Sequence, residues 1–346
     1  MDTVVPAKLS PAQLAGQRVV YSYSGPTPPG SLLNWIRRGE VAGVIFFSGN
    51  ITGNAQIASV IRELDRANAS RGNPLRSVPL LLMTDQEGGE VRRLPGDPAL
   101  SEKQIGESAN AGSQARAAGS SAAQNLASAG MNVNLAPVLD VYRTPGNFDD
   151  QFGRSYNTDP RVASRLGSDF IKAQQGDGVA ATAKHFPGLG TATQSQDTDM
   201  RPVTLNVTRH ELRTIDEYPY QAAIAAGVRL VMVSWAVYPA LDPNKPAGLS
   251  PTIVTGELRQ RLGFKGVTIT DALEAGALKP FGTIGNRTTL AAEAGMDLLL
   301  CSAQRPGEGN QARAALVDGY RKGTLNKAAF AAAVQRIDAL RASLAH

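Results

Sequence analysis

The sequence has 346 residues, of which 42% are hydrophobic and 19% are charged, and its formal net charge at pH 7 is +5. This length and composition are typical of a globular α/β protein with one large core. The basic residues are scattered along the chain, which argues against a nucleic-acid-binding arm. The single cysteine, Cys301, excludes an intrachain disulfide and a cysteine-based zinc site. No segment approaches the roughly 18 apolar residues of a membrane-spanning helix, so we expect no membrane span.

Eight short and mostly apolar segments recur along the chain, and most are followed by a turn and an alanine-rich amphipathic segment. Near-continuous apolar segments of this length are typical of parallel strands that are buried on both faces. The predicted strands are 18–22, 43–48, 79–85, 133–138, 180–185, 230–235, 266–271 and 298–302. The predicted helices are 54–67, 101–129, 160–175, 209–226, 252–262, 288–294 and 326–344.

Eight strands that alternate with helices predict a parallel sheet of βα units, and eight is the number that closes a (β/α)₈ or TIM barrel. A doubly wound open sheet is the structural alternative. No GxGxxG motif follows the first predicted strand, which argues against dinucleotide binding. No linker rich in proline and glycine divides the chain, so we predict a single domain over residues 1–346.

Polar residues stand at the ends of several predicted strands, where the active site of a TIM barrel lies. Asp85 ends the third strand, Asp140 follows the fourth, Lys184 and His185 end the fifth, and Asp271 ends the seventh. Each has a structural explanation by itself: an aspartate as a helix N-cap, the histidine in a core, the lysine paired with a barrel carboxylate. Their joint occurrence at successive strand ends favours an active site.

Asp271 is the strongest single candidate for a catalytic residue. A carboxylate buried at the mouth of a barrel is costly unless it is paired or used. Three basic residues, Arg93, Arg154 and Lys184, are candidates for keeping it ionised, as a nucleophilic carboxylate requires.

Several motifs occur together and in a fixed order along the chain. Residues 184–188 read KHFPG, residues 85–89 read DQEGG and are followed by Arg93, and residues 134–140 read NLAPVLD. Shorter matches are Arg154-Ser155-Tyr156 with Asp159-Pro160, residues 238–242 and residues 262–266. These motifs resemble glycoside hydrolase family 3, and specifically its single-domain β-N-acetylglucosaminidases (β-N-acetylhexosaminidases) of cell-wall recycling.

The resemblance implies a (β/α)₈ barrel without the C-terminal α/β sandwich of the two-domain glucosidases. It also implies a retaining mechanism with Asp271 as the nucleophile, and such chemistry needs neither cofactor nor metal. The residues that it implies as ligands of the sugar hydroxyls are Asp85, Arg93, Arg154, Lys184 and His185.

The sequence departs from the family pattern around the acid/base. The family carries an Asp-Ser-His in the loop after KHFPG, and its histidine is the acid/base; this chain has no histidine there. We hypothesise that Asp199 is the acid/base and that Asp197 assists it, because neighbouring carboxylates raise one another's pKa. The alternative is that both are solvated loop carboxylates. Glu274, about one helical turn after Asp271, is a second candidate.

Two further departures concern the substrate-binding positions. Trp235 stands where the family ends the preceding strand with a histidine, and Glu274 lies in a segment that is usually Asp-Leu-x-Met. We expect both side chains to contribute to substrate binding. Asp149, Asp150 and Asp159 are weaker acid/base candidates because they lie close to Arg154 in sequence.

The leading functional prediction is a retaining exo-β-glycosidase that forms a covalent glycosyl-Asp271 intermediate. The resemblance implies β-N-acetylglucosaminides of cell-wall or chitin-type oligosaccharides as substrates. Alternatives are a β-glucosidase or β-xylosidase on the same scaffold, a sugar-binding protein that has lost catalysis, and a different barrel enzyme that uses Lys184. The anionic loop favours hydrolysis over phosphorolysis. Abundant small and polar residues favour an exported protein whose signal peptide is absent from this sequence; a cytoplasmic enzyme is the alternative.

Overall fold

Eight parallel strands form the centre of the protein in a computed structural model that describes residues 9–344. They are β1 (Val19–Tyr21), β2 (Gly43–Ile45), β3 (Leu81–Thr84), β4 (Val133–Asn134), β5 (Ala180–Phe186), β6 (Leu230–Val233), β7 (Val267–Thr270) and β8 (Leu299–Leu300). Every predicted strand segment coincides with one of them, and β5 extends one residue beyond its segment. The other seven are shorter than predicted, because the last residues of those segments leave the sheet and enter the loops at the barrel mouth.

The strands close into a ring. Their hydrogen-bonded order is β7-β6-β5-β4-β3-β2-β1-β8, and β1 pairs in parallel with β8 through Val19 and Leu299. A parallel bridge between Ile269 of β7 and Leu298, just before β8, joins the two ends of this order. The (β/α)₈ barrel is therefore confirmed, and the open-sheet alternative is wrong.

Apolar residues fill both faces of the strands, as the near-continuous apolar segments predicted. Val20, Leu81 and Met83 belong to one buried cluster, whereas their neighbour Leu82 packs in the larger cluster that includes the surrounding helices. The last helix adds Leu340 to the first cluster. This helix lies across the N-terminal ends of the strands, which leaves the opposite end of the barrel open for a site.

The helices surround the barrel, and their bounds are as follows. They are Pro11–Gly16, Gly30–Arg37, Asn54–Asn68, Glu102–Gly106, Ala111–Ala129, Pro160–Gly176, Arg209–Glu211, Tyr218–Ala225, Ile284–Ala294, Pro306–Lys322 and Lys327–Ala342, with π-helical segments Leu212–Asp216 and Thr252–Arg261.

The predicted helices differ from the observed ones in several places. The segment 101–129 is two helices, and the first ends at Gly106, where an added Cβ would lie 1.7 Å from the carbonyl oxygen of Tyr156. The segment 209–226 is interrupted by a π-helical turn just before Pro219, whose ring cannot continue the hydrogen-bond ladder. The segment 252–262 is π-helical. The prediction has no counterpart for the helices Pro11–Gly16, Gly30–Arg37 and Pro306–Lys322.

Among the described residues, no helix combines the length and the apolar character that crossing a membrane requires. The expectation of a removed signal peptide concerns the N-terminus, and residues 1–8 lie outside the described part of the chain.

Candidate active site

A cavity of about 490 Å³ opens at the C-terminal ends of the barrel strands. Its floor includes apolar side chains of the barrel interior, such as Leu135, Met232 and Leu300. Eight of the ten predicted site residues line it: Asp85, Arg93, Arg154, Lys184, His185, Asp197, Asp199 and Asp271. The other two, Trp235 and Glu274, do not line it and lie behind its wall.

One side of the cavity is a network of buried charges from β3, β5 and the loop that follows β4. The Lys184 Nζ lies 2.8 Å from Asp85 Oδ1 and 2.7 Å from Glu87 Oε1. Arg154 binds Glu87 with two parallel hydrogen bonds, each 2.9 Å long. Burial alone would raise the pKa of Glu87, but the charges of Arg154 and Lys184 lower it to about 2. These groups are thus held ionised in fixed positions, which suits them to bind hydroxyl groups.

Glu87 is the residue of this network that the sequence reasoning missed. It belongs to the DQEGG motif, but the sequence alone predicts no role for it. Its buried carboxylate, 1% exposed, joins the lysine of one strand to the arginine of another loop. A charged residue two positions after a strand end was the available signal, but the partners that explain it lie 67 and 97 positions away, at Arg154 and Lys184.

Lys184 is a cation and not a free amine. Burial acts to lower its pKa, but the carboxylates of Asp85 and Glu87 more than offset this and raise the pKa above its ordinary value. An amine that forms a Schiff base must lose its proton first. The alternative of a barrel enzyme that uses Lys184 as a nucleophile is therefore disfavoured.

His185 is held as a neutral imidazole by its surroundings. Burial first, and then the charges of Arg154 and Lys184, lower its pKa to about 4. Its Nδ1 lies 2.7 Å from Asp140 Oδ2, and its Nε2 lies 3.5 Å from Arg154 Nη2. Because the arginine can only donate, we assign the ring proton to Nδ1, which donates to Asp140. The Nε2 lone pair then remains on the Arg154 side of the ring.

A second buried aspartate, Asp149, contacts Asp140, the partner of His185. Asp149 is hydrogen-bonded to Asp140, and burial followed by the charge of Asp140 raises the pKa of Asp149 to about 7. Its Oδ2 has no donor, as expected for the oxygen that carries a proton. Asp140 also accepts a 2.7 Å hydrogen bond from the Leu189 amide. We conclude that Asp149 donates to an ionised Asp140.

Within the part of the chain that the structure describes, Asp140, Asp149 and His185 have ligand atoms within 4.8 Å of one another, as a metal site would require. The oxygens of Asp140 are occupied by N–H donors, and the guanidinium of Arg154 lies against both Asp149 and His185. This donor set suits a proton better than a metal cation, and we interpret the group as support for the histidine.

Asp271 follows β7 and begins a tightly held loop. Its Oδ1 accepts a 2.8 Å hydrogen bond from the Ala272 amide. The indole of Trp235, which is fully buried, donates to the Ala272 carbonyl at 2.8 Å. Arg287 donates to the Leu273 carbonyl, also at 2.8 Å. Trp235 therefore contacts the loop that begins at Asp271 without lining the cavity, and its predicted contribution to substrate binding stays a prediction.

The three basic residues proposed to keep Asp271 ionised have other partners. Among the described residues, Lys184 and Arg154 form their ion pairs with carboxylates of the buried network, and the nearest carboxylate of Arg93 is Asp85 at 4.0 Å. None of the three therefore forms a direct ion pair with Asp271, and their role in keeping it ionised stays a prediction. Lys184 does form the barrel ion pair that its structural explanation expected.

The loop that carries Asp197 and Asp199 packs against the segment that follows Asp271. The Gly276 amide donates to the Asp199 carbonyl at 2.7 Å, and the Ala277 amide donates to the Thr198 carbonyl at 2.9 Å. Within the loop, the Asp199 amide donates to Asp197 Oδ1 at 2.8 Å. These backbone hydrogen bonds hold the loop of Asp197 and Asp199 in contact with the segment that follows Asp271.

The Asp199 carboxyl lies at the rim of the cavity. The residue as a whole is exposed to water, but protein atoms surround much of its carboxyl group. Desolvation, and then the negative charges of Asp271, Asp197 and Glu274, raise its pKa to about 7. A carboxyl group with this pKa exists in both protonation states near neutral pH. That is the property a general acid that later acts as a base requires.

The remaining acidic candidates are occupied by structural contacts. Asp150 forms a 2.7 Å ion pair with Lys103, and Asp159 caps a helix by accepting from the Arg161 amide at 2.8 Å. Neither lines the cavity. Glu274 accepts a 2.7 Å hydrogen bond from the hydroxyl of Ser302, and it is Ser302 that lines the cavity.

Comparison with known proteins agrees with this geometry. Residues 13–340 match the family described as "Glycosyl hydrolase family 3 N terminal domain". The chain belongs to glycoside hydrolase family 3. A protein of Arthroderma benhamiae that is called an uncharacterized secreted glycosyl hydrolase is 47% identical over 332 residues, which cover 95% of this chain and 93% of that protein. A beta-hexosaminidase of Xanthomonas oryzae pv. oryzae is 33% identical over 315 residues, 88% of this chain and 87% of that protein.

Solved structures of this family have the same fold. A family 3 β-N-acetylglucosaminidase from Paenibacillus sp. FPU-7 superimposes with a TM-score of 0.91 at 34% identity; the match covers 98% of this chain but only 63% of that protein. A β-N-acetylhexosaminidase from Beutenbergia cavernae gives 0.87 at 32% identity and covers 97% of this chain and all of that one. The family 3 protein described here is a glycoside hydrolase built on a TIM barrel.

Proposed function

We propose that this family 3 barrel is the catalytic unit of a retaining exo-β-glycosidase that releases terminal β-linked N-acetylglucosamine. The observation that carries the proposal is the single cavity lined by Asp271, by the charged network around Lys184, and by Asp199 with its raised pKa. The names of the similar β-hexosaminidases and β-N-acetylglucosaminidases support the choice of sugar.

The charged network suits the recognition of a terminal sugar. In our proposal Asp85 accepts from sugar hydroxyls, Arg93, Arg154 and Lys184 donate to them, and His185 offers a ring nitrogen. Fixed charged groups form strong and directional hydrogen bonds with hydroxyls. The apolar floor closes the cavity at the barrel interior, so that a chain is expected to enter only with its end.

The proposed reaction has two steps. In the first, a carboxylate oxygen of Asp271 attacks the anomeric carbon while the Asp199 carboxyl gives its proton to the departing glycosidic oxygen. The products are the aglycone alcohol and a glycosyl ester of Asp271. In the second, the Asp199 carboxylate removes a proton from water, whose oxygen displaces Asp271 and releases the sugar with its β configuration retained.

The electrostatics of the pair suit this change of role. The negative charge of Asp271 is the largest of the charges that raise the pKa of Asp199. Formation of the ester removes that charge, so the pKa of Asp199 is expected to fall in the intermediate. Asp199 is thus held protonated for its role as the acid in the first step, and it is deprotonated, as a base must be, before the second.

Water is the expected acceptor of the sugar, and an oligosaccharide of the cell-wall or chitin type is the expected substrate. The carboxylates of Asp197 and Asp199 at the cavity rim repel a phosphate anion, which favours hydrolysis over phosphorolysis. The description of the Arthroderma benhamiae relative as secreted supports export of this protein as well.

The test is nitrophenol release from the β-N-acetylglucosaminide, the β-glucoside and the β-xyloside by wild-type protein and by Asp271→Ala. We expect the N-acetylglucosaminide to be preferred and the variant to lose roughly 10³-fold or more of the rate, as removal of a nucleophile does elsewhere. Asp318→Asn is the control, because Asp318 is exposed on the outer helix, where it forms an ion pair with Lys322. Undiminished turnover by Asp271→Ala would contradict the proposal, and a preferred glucoside or xyloside would change the substrate.

A further inference from the structure

Ser302 is a cavity-lining residue to which the proposed mechanism gives no role. It follows β8, the strand next to β7 in the closed barrel, and both Ser302 and Asp271 line the cavity. Its hydroxyl donates to Glu274 Oε1 at 2.7 Å, and its amide lies 3.3 Å from Glu274 Oε2. A serine hydroxyl has one proton. Because the hydroxyl proton of Ser302 is already donated to Glu274, only the lone pairs of Ser302 Oγ remain for a hydrogen bond with a ligand.

A second buried carboxyl group keeps Glu274 an acceptor. Glu308 is 4% exposed, and its Oε2 accepts from the Ala303 amide at 3.0 Å, while its Oε1 has no donor. The carboxyl groups of Glu308 and Glu274 are hydrogen-bonded to each other, and burial followed by the charge of Glu274 raises the pKa of Glu308 to about 8. Two carboxyl groups in this relation share one proton. The raised pKa places that proton on Glu308, which donates a hydrogen bond to Glu274.

The position of Ser302 relates it to one part of the sugar. Asp271 must face the anomeric carbon C1, whose ring neighbours are C2 and the ring oxygen. The ring oxygen carries lone pairs only, so the acceptor Ser302 Oγ would repel it. A substituent on C2 carries a proton: an N–H in an acetamido sugar and an O–H in a glucoside. An amide N–H can only donate, which matches an oxygen that can only accept.

We propose that Ser302 accepts a hydrogen bond from the acetamido N–H on C2 of the substrate, and that Glu274 and Glu308 position it for this. The inference rests on the proposed function and adds a residue that recognises its substrate. Ser302 touches the sugar, whereas Glu274 and Glu308 are positioning residues. Hydrogen bonds to the group on C2 strengthen in the transition state of glycosidases, so the effect belongs in kcat as well as in KM.

The first test compares Ser302→Ala with wild type on nitrophenyl glycosides that carry either the acetamido group or hydrogen at C2. We expect the variant to lose roughly 10-fold to 100-fold in kcat/KM on the acetamido substrate, as when a hydrogen bond to a substrate is removed. We expect less than about a 2-fold change on the 2-deoxy substrate, which has no donor there. Equal losses on both would overturn the inference. A wild-type protein inactive on every glycoside would instead overturn the proposed function.

The second test separates positioning from a general structural role. In Glu308→Gln the amide nitrogen can still donate to Glu274 and its oxygen can still accept from the Ala303 amide, so we expect wild-type selectivity for the acetamido sugar. Glu308→Ala removes the donor, and we expect part of the selectivity loss of Ser302→Ala. If both Glu308 variants keep wild-type selectivity while remaining folded by circular dichroism, the positioning role is wrong. If both lose it equally, the shared proton is not the cause.

Discussion

The amide of Gly276 donates a 2.7 Å hydrogen bond to the carbonyl oxygen of Asp199, and this contact joins the nucleophile loop to the loop of the proposed acid/base. The approach is close: a Cβ added at Gly276 would lie 2.1 Å from the carbonyl oxygen of Met200. The geometry between Asp271 and Asp199 is therefore set by backbone contacts. Positioning of this kind is worth a large part of an enzyme's rate.

Gly276→Ala should displace the loop of Asp197 and Asp199. The added methyl group would clash with the backbone at Met200, which cannot move aside as a flexible side chain can. We expect kcat to fall at least roughly 10-fold, since small misplacements of catalytic groups have large effects. Steady-state kinetics measures the change. The matched control is Gly307→Ala, which has nothing within 4 Å of its added Cβ and lies in a helix where alanine is favoured. Equal kcat values for the two variants would contradict the role of this contact.

The pH profile of kcat/KM should report Asp199. Because the proposed acid must be protonated, activity should fall as the pH rises through about 7, the pKa to which desolvation and the charges of Asp271 and Asp197 raise this group. Asp197→Asn removes one negative charge and keeps the side-chain oxygen that accepts from the Asp199 amide. We therefore expect the alkaline limb to move to lower pH in Asp197→Asn.

An unmoved limb in Asp197→Asn, or one that moves to higher pH, would exclude this electrostatic coupling. Asp199→Asn keeps the shape of the side chain but cannot supply a proton, and we expect it to lose most turnover of the nitrophenyl N-acetylglucosaminide. If instead Glu274→Gln loses as much as Asp199→Asn and moves the same limb, the second acid/base candidate gains the role.

Asp149 should make stability depend on pH. Its pKa in the folded protein is raised to about 7, first by burial and then by the charge of Asp140, from an ordinary value of 3.8. Between these two values the folded chain holds a proton that the unfolded chain has released, so its contribution to stability declines as the pH rises. Asp149→Asn can donate to Asp140 and accept from Arg154 without titrating.

We therefore expect the Tm of Asp149→Asn, relative to wild type, to rise between pH 5 and pH 8, as measured by calorimetry at several pH values. Asp318→Asn makes the same chemical change on the exposed surface and should show no such trend. A constant difference in Tm between Asp149→Asn and wild type would show that Asp149 is ionised in the fold.

Trp235→Phe should disturb the position of Asp271, the proposed nucleophile, although Trp235 does not line the cavity. The change keeps an aromatic ring but removes the N–H that donates to the partly buried Ala272 carbonyl next to Asp271. An unsatisfied buried group costs about 1–3 kcal/mol, so we expect a lower Tm. We also expect kcat to fall more than KM changes. Trp35→Phe is the control, since Trp35 packs against Tyr21 on an outer helix. If KM rises while kcat holds, Trp235 binds substrate as the sequence predicted.

The barrel could be predicted from the sequence because it depends on a local pattern. Strands buried on both faces must be apolar along their whole length, and eight such segments separated by helical ones leave few ways to build a sheet. The helix Pro306–Lys322 escaped prediction because its composition is polar and it contains three glycines before its C-cap. One of them, Gly309, lets the helix approach the ring of Tyr21. This contact exists only in the folded protein.

The same division holds for the active site. Motifs at strand ends were enough to predict Asp271, Asp199 and the residues around Lys184, because parallel strands of a barrel bring their C-terminal ends to one rim. The sequence by itself therefore determined eight of the side chains that meet at the cavity, but not that Ser302 lines it in place of Trp235 and Glu274. Only the tertiary structure decided that Glu87 joins Lys184 to Arg154, and that Trp235 holds the nucleophile loop from outside. It also decided which carboxyl groups hold a proton, since a pKa depends on burial and on charges brought close from distant parts of the chain.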